Sequence, residues 1–396
     1  MAGSIEKRGK DSYRLVCTDG YDLKGHLIRR TKTIHGTKKD AEIALAKFVT
    51  EVQSGLVVEG KSLKFSEFVE IWKRDYGEKE LAPSTYERYL GMLEKRILPY
   101  FGRFYLNKIK PTDIMKFYDM LEKDTQYSRK NNKHNVKTLK PLSGKTILEH
   151  HRLLRAMLHK AVYWQLLVAN PCERVQPPRA RKPKRKFYDE KQTQFLVENL
   201  NKLDEEFIKY KTAIMLTIFT GVRLGELMGL EWQDIDFEHQ IISVNRSSQY
   251  LTDKGVFTKT PKTESSIRDI GIPDFIVSLL KEYSLWYNKQ KRLYGELWFN
   301  SNRLFVQDNG KPMHPDTISK WFVKYVEKIG LPVINFHGLR HTNATLLIGE
   351  NIDPAVVAAR LGHAQISTTY NFYVHPLISH NKTAGIALQN LLLPTK

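Results

Sequence analysis

The eleven residues from Gln176 to Lys186, QPPRARKPKRK, constrain this chain more than any other stretch. Six are Lys or Arg, three are Pro and none is acidic. Proline interrupts regular structure and like charges repel, so the run reads as an extended linker. Apolar-periodic sequence lies on both sides of it, so the chain folds as separate units joined there. A length of 396 residues fits this, since one domain takes roughly 150.

Upstream of the linker the pattern changes once. In residues 1–58 the strand-like runs SYRLVCTD and GHLIRRTKTI are separated by the turn-rich GYDLKG. Thr37 and Asp40 then form a capping box opening a helix over Lys38–Gln53, with Ala41, Leu45, Phe48 and Val52 on one face. This predicts a three-stranded sheet backed by one helix, with Arg14, Arg29 and Lys32 on the open face. Residues 62–174 read as a bundle of four or five helices. Phe65, Phe68, Val69, Trp72 and Tyr76 make one apolar stripe, and Ser84 with Glu87 resembles a second capping box after Pro83. Ser143 caps a long helix with Ile147, Leu154, Leu158 and Ala161 inward, stopped by Asn170-Pro171. The polar stretch Tyr127 to Pro141 reads as a long loop.

Residues 175–187 are the linker, and residues 188–396 form the largest unit. Helical patterns over Lys191–Leu203 and Glu205–Leu230 precede two strand-like pieces, IISVNRS and SSIRDIGIP, and further helices follow. No internal repeat is visible. The expected fold class is multidomain α+β: a sheet-plus-helix module, a helical bundle, and a mainly helical domain carrying a small antiparallel sheet.

Charge narrows the function. The chain carries +20, and two segments, Thr125 to Lys160 and the linker, supply +14 of it in 47 residues. A charged run is usually a solvated face or tether. A folded protein this basic nevertheless calls for a polyanion, and a basic linker between two domains can track a phosphate backbone. The candidate contacts are Lys145 and Arg152 in the bundle, and Arg179, Arg181, Lys182, Lys184, Arg185 and Lys186 in the linker. Two cysteines, Cys17 and Cys172, are too few for a disulfide framework and suit a reducing compartment. No apolar run reaches the ~20 residues of a membrane span, and MAGSIEKRGK lacks a signal-peptide core.

Four short motifs follow one another in the last unit. TGVRLGEL holds Arg223 near the end of an apolar helix, with Glu226 one turn on. TPKTESSIR puts Lys262 in a turn leading into a strand. HGLRH places His337 and Arg340 three apart, on one helical face. LGHAQISTTYNFYVH offers His363 and, ten residues later, Tyr373. Each alone is weak: an Arg-Glu pair is commonly structural, a lone lysine is commonly solvated, and most of the 19 tyrosines belong to the core. His337 and His341 have zinc-helix spacing, but Gly338 stands where a zinc hydrolase needs Glu and no third ligand is evident, so metal binding is rejected.

Taken together, two arginines, a lysine and two histidines suit a phosphodiester whose charge grows in the transition state. Arginine offers a planar fork for two phosphate oxygens. Lysine or histidine can protonate a leaving alkoxide, and tyrosine can form a covalent intermediate. With a pKa near 10, that tyrosine needs cationic neighbours or a base, and cationic side chains can replace a metal or other cofactor.

The set resembles the tyrosine recombinase family, specifically the three-domain integrases of phages and integrative mobile elements. By that resemblance Arg223 and Arg340 would clamp the scissile phosphate and Lys262 would be the general acid toward the 5′ oxygen. His337 would assist proton transfer at the nucleophile, and His363 would hydrogen-bond the phosphate. Tyr373 would attack to give a 3′-phosphotyrosyl link, with Glu226 supporting from behind. Tyr370 and Lys259 are rivals for two of these places. The family spacing T-T-x-x-x-Y-x-H, met by Thr368, Thr369 and His375, selects Tyr373, and the K-T before the strand selects Lys262. The resemblance further implies an arm-site DNA-binding module at residues 1–58 and a SAM-like core-binding domain at 62–174. It also implies partners: double-stranded DNA at core and arm attachment sites, a homo-tetramer during synapsis, and a DNA-bending accessory protein or excision factor. The enzyme would work in the cytoplasm at the bacterial nucleoid. The tail from Pro376 to Lys396 would dock on a neighbouring protomer or pack on its own chain. A type IB topoisomerase shares the chemistry, and a silent DNA-binding regulator shares the fold. The extra N-terminal module argues against the first and the six intact positions against the second.

Overall fold

Alternating apolar residues decide the first element group of the protein, seen in a computed structural model that describes residues 3–21, 25–53, 63–128, 138–180, 186–259, 266–363 and 365. Strands β1 (Gly3–Gly9), β2 (Ser12–Tyr21) and β3 (Leu27–His35) form an antiparallel sheet in the order β1-β2-β3. Leu15 and Cys17 of β2 are buried against Ala41, Phe48 and Val52 of helix α1 (Lys38–Gln53). The Thr37–Asp40 box opens α1: Thr37 N–H donates to Asp40 Oδ2 at 2.8 Å, and Asp40 N–H donates to Thr37 Oγ1 at 3.3 Å. Register corrects one expectation. Lys32 pairs with Leu15, and cross-strand partners share a face, so Lys32 lies on the helix side with its ammonium 5.8 Å from the Phe48 ring centre. Arg14 and Arg29 are opposite Thr33 and Thr18, on the open face.

The helical bundle has its own core of Phe65, Phe68, Trp72, Leu93, Phe101, Phe117, Leu154 and Leu158 among others. Helix α2 (Phe65–Trp72) runs through a π-helical turn, Lys73–Gly77, into α3 (Glu78–Glu80). Helix α4 (Pro83–Met92) runs through a second, Leu93–Ile97, into α5 (Leu98–Phe101). A Cβ on Gly77 would meet the Tyr86 ring at 2.6 Å, so glycine permits that close crossing. The expected Ser84–Glu87 box is absent: Pro83 takes the first helical position, Ala82 is the N-cap, and no side chain caps it. Helix α6 (Pro111–Lys123) follows, then α7 (Gly144–Tyr163), whose cap Ser143 Oγ accepts from Thr146 N–H at 3.1 Å.

Two further readings need correction here. The ends of the expected long loop pair as antiparallel strands, β4 (Thr125–Ser128) with β5 (Thr138–Pro141), because their residues can satisfy each other's backbone groups across a hairpin. Helix α7 also stops seven residues before Asn170. Trp164 is its C-cap and Gln165 turns left-handed at φ 58°. Asn170 instead caps a 3₁₀ turn over Pro171–Arg174, accepting from Cys172 N–H at 2.9 Å. The chain divides into two compact units, Met1–Lys182 and Pro183–Lys396.

In the second unit α8 (Glu190–Asn201) is capped by Asp189, which accepts from Gln192 N–H at 2.8 Å. The helix expected over Glu205–Leu230 is broken. After a 3₁₀ turn, α9 (Ile208–Thr220) ends at Gly221, and α10 (Leu224–Gly229) begins after an extended Arg223. Strands β6 (Ile235–Asp236), β7 (Ile241–Val244) and β10 (Arg268–Gly271) form an antiparallel sheet ordered β10-β7-β6. Strands β8 (Ser247–Leu251) and β9 (Gly255–Lys259) make a separate hairpin. Helices α11 (Asp274–Tyr294), α12 (Pro315–Lys328), α13 (His337–Gly349) and α14 (Pro354–Leu361) complete the unit around Met215, Leu216, Leu227, Ile242, Leu280, Tyr283, Phe322 and Leu339. Among the described residues no helix is long and apolar enough to cross a membrane.

Candidate active site

The break between α9 and α10 creates the site. Gly221 has φ +67°, which ends α9, and a Cβ there would come within 2.3 Å of Leu361 and 2.8 Å of Asn343. The chain then turns sharply, and Arg223 becomes the N-cap of α10 rather than a residue near the end of a helix. Glu226 sits at the third helical position. Its carboxylate accepts from Arg223 N–H at 2.9 Å and from Arg223 Nη1 at 2.5 Å, closing the head of α10.

The C-terminus of α14 is the hub. Gly362 adopts φ +66°, and His363 N–H donates back to Ala358 O at 3.0 Å. The last carbonyls of a helix lack intrahelical partners and carry partial negative charge. Here three arginines from three elements take them in succession. Arg268 Nε of β10 donates to Arg360 O at 2.7 Å, Arg340 Nη2 of α13 to Leu361 O at 2.7 Å, and Arg223 Nη2 to Gly362 O at 2.9 Å. Arg340 Nη1 also donates to Gly221 O at 2.8 Å, tying α13 to the end of α9. Arg360 Nη2 donates to Phe219 O at 2.8 Å and Gly271 O at 3.0 Å.

Charge in this cluster is unbalanced. Among the described residues four guanidiniums, Arg223, Arg268, Arg340 and Arg360, gather here with one carboxylate, Glu226, which accepts from Arg268 Nη2 at 2.9 Å as well as from Arg223. Burial opposes ionisation of Glu226, but Arg268 and then Arg223 overcome it and hold the carboxyl below its usual range. Arg340 is 2% exposed and, among the described residues, binds backbone carbonyls. Burial, followed by the Arg223 charge and in smaller part that of Arg268, pushes it down to about 9, still a cation at neutral pH. Each of its Nη atoms carries a second hydrogen beyond the one given to a carbonyl. Arg223, with 38% of its side chain exposed, faces solvent. His363 is pushed down to about 4 by burial and then by Arg340, Arg223, Arg268 and His337, so it stands neutral at pH 7 with one ring nitrogen donating and the other accepting. His337 is exposed at the start of α13, its ring centre 4.7 Å from that of His341. Among the described residues no three of His, Cys, Asp and Glu converge as a metal site would require.

Five of the sequence candidates, Arg223, Glu226, His337, Arg340 and His363, thus lie in one neighbourhood. Lys262, Tyr373 and the rival Tyr370 are outside the described residues; the rival Lys259 ends β9. Sequence reading missed Arg268 and Arg360. Arg268 had a signal: with Ile270 and Ile272 it follows the alternation of a buried strand face, where an unpaired arginine is not tolerated.

The candidate polyanion contacts belong to different surroundings. Lys145 and Arg152 are exposed two turns apart on α7. Arg152 pairs with Glu149 at 2.7 Å and, with His151, Arg155, His159 and Pro177, lines an open cleft of about 600 Å³. Arg179 is exposed, with its carbonyl against Gly144 at the head of α7. Lys186 is exposed, with its carbonyl against Gly338 in α13. Arg181, Lys182, Lys184 and Arg185 are outside the described residues.

Comparison with known proteins places the chain among relatives. Residues 186–380 match the phage integrase family, and residues 64–121 match the phage integrase N-terminal SAM-like domain. The chain is 29% identical over 401 residues to the tyrosine recombinase XerC-like protein of Caldanaerobacter subterraneus subsp. tengcongensis, covering 98% of both chains. It is 27% identical to the ICEBs1 integrase of Bacillus subtilis, over 98% of this chain and 100% of that one. In fold it is similar to the Tn1549 transposon integrase, solved in complex with circular intermediate DNA, with TM-score 0.64 and 22% identity over 82% of this chain and 100% of that one. A lambda integrase dimer bound to a COC' core site gives TM-score 0.54 and 14% identity over 93% of each. The chain belongs to the phage integrase family, the tyrosine recombinases. Its activity is site-specific DNA strand breakage and rejoining in the service of a mobile genetic element.

Proposed function

We propose that the arginine cluster around the end of α14 receives the scissile phosphate of a DNA duplex. The observation that carries this is the imbalance, among the described residues, of four guanidiniums to one carboxylate, since buried positive charge without a counter-ion is costly and here it is held by backbone carbonyls. In this reading Arg223 and Arg340 clamp the two non-bridging oxygens. Tyr373 Oη attacks phosphorus while the bond to O5′ breaks. His337 takes the phenolic proton, Lys262 delivers a proton to the 5′ oxygen, and neutral His363 donates a hydrogen bond to the phosphate. Rejoining reverses these steps with a different 5′ hydroxyl. No cofactor enters, because the guanidiniums supply the charge stabilisation that a metal would otherwise provide.

Residues 188–396 would be the catalytic domain, 62–174 the core-binding domain, 1–58 the arm-site module and 175–187 the DNA-tracking linker. The homo-tetramer on paired sites, an accessory DNA-bending or excision factor, and work in the cytoplasm at the nucleoid belong to the same reading. A nicked suicide duplex, which traps the covalent intermediate, tests it. Tyr373→Phe should yield no trapped adduct while binding DNA as the parent does, and Tyr370→Phe should still trap. The reverse pattern would assign the nucleophile to Tyr370.

A further inference from the structure

Arg268 joins β10 to α14 through a backbone carbonyl and to α10 through the Glu226 carboxylate. It opens β10, with only 7% of its side chain exposed. Its Nε donates to Arg360 O at the end of α14, and its Nη2 donates to Glu226 Oε2 at 2.9 Å in α10. Its Nη1 donates to Ser266 O at 3.0 Å, at the entry to its own strand. The three bonds use all three nitrogens of the planar fork, so the guanidinium cannot rotate without losing one of them. Arg223 is bound at both ends of this bracket. Its backbone N–H and its Nη1 are held by Glu226, and its Nη2 is held by Gly362 O, two residues beyond the carbonyl that Arg268 grips. Arg340 reaches the intervening carbonyl, that of Leu361.

A phosphate has little reason to bind Arg268 itself. Only 7% of its side chain is exposed and each of its three nitrogens already has an acceptor. Arg223, which shares the Glu226 carboxylate, differs in having 38% of its side chain exposed. We propose that Arg268 is a positioning residue. It locks Glu226 and the α14 terminus into one rigid bracket, which aims the Arg223 guanidinium at the scissile phosphate. This rests on the reading of Arg223 as a phosphate clamp given above.

The geometry separates charge from shape. Lysine at this position keeps a cation beside Glu226 and so keeps the buried carboxylate compensated, but a single ammonium on a flexible stem cannot reach three acceptors in one plane. Glutamine loses both the charge and the fork. Groups that orient a ligand from one layer out typically matter by roughly 10- to 100-fold, and a loss of that size is expected here.

The test is single-turnover cleavage of a suicide duplex by the full chain carrying Arg268→Gln or Arg268→Lys. Each variant is run on an ordinary scissile phosphate and on an uncharged methylphosphonate at the same position. Removing the phosphate charge removes most of the work asked of a cationic clamp. Both variants should cleave the ordinary substrate roughly 10- to 100-fold more slowly, with duplex affinity changed less than about threefold. On the methylphosphonate their deficit should shrink to within a few-fold of the parent. A deficit equal on both substrates would overturn the proposal and make Arg268 a structural residue. Parent-like cleavage by Arg268→Lys would overturn it too, since charge alone would then suffice. Arg223→Met is the control for the underlying reading. If it is not relieved by the methylphosphonate, the clamp assignment fails; if it is relieved and Arg268→Gln is not, only the positioning role fails.

Discussion

The arginines of the bundle and those of the α14 hub differ in what they bind. On the bundle, Arg88 and Arg152 share Glu149 at 3.2 and 2.7 Å, and Arg155 meets Glu173 at 2.9 Å, all with half or more of the arginine side chain exposed. At the hub, four arginines bind backbone carbonyls, and among the described residues one carboxylate, Glu226, pairs with two of them, Arg223 and Arg268. Exposed ion pairs contribute about 0–1 kcal/mol each and are screened by salt. A buried cation fixed by backbone dipoles keeps its charge for a ligand. In the proposed reading the first arrangement serves as an adjustable surface for a polyanion and the second as a preorganised pocket for one phosphate.

The difference can be broken from the hub side first. Arg340→Met should lower single-turnover cleavage by roughly 10²–10³-fold, the cost of removing one preorganised donor. Duplex affinity, set by many outer contacts, should change little. A large loss of affinity with an unchanged cleavage rate would merge the two regions into one kind of binding surface.

A smaller effect is expected on the bundle. Arg152→Gln together with Arg155→Gln should leave the cleavage rate at saturating DNA intact and weaken binding. If both side chains leave their acids for phosphates, the slope of log K against log salt should flatten by up to about 1.8, at about 0.9 per phosphate. An unchanged slope in binding isotherms at several salt concentrations would mean these arginines serve Glu149 and Glu173 alone.

How far the sequence revealed this contrast depends on the range of the interactions. Local ones were legible. The Thr37–Asp40 box, the Ser143 cap and the inward stripe of α7 each involve residues within a few positions of one another. The Arg223–Glu226 pair was legible as a spacing, but not as the cap of a new helix. The break at Gly221 follows from tertiary crowding by Leu361 and Asn343, more than a hundred residues away. Arg268 was passed over for the same reason, since its Glu226 and Arg360 partners lie 42 and 92 residues distant. Lys32 was placed on the wrong face because it was grouped with Arg29, three residues earlier on the same strand, whereas strand side chains alternate with period two. The hairpin β4–β5 was missed because its strands are short and lack apolar alternation.

The most direct measurement of the central claim is cleavage of a suicide duplex by the unaltered chain in excess EDTA. The hub supplies its own positive charge, so the covalent protein–DNA adduct should form at the same rate with and without chelator, and added Mg²⁺ should not restore Arg340→Met. Strand cleavage that stops in EDTA and returns with Mg²⁺ would contradict the account.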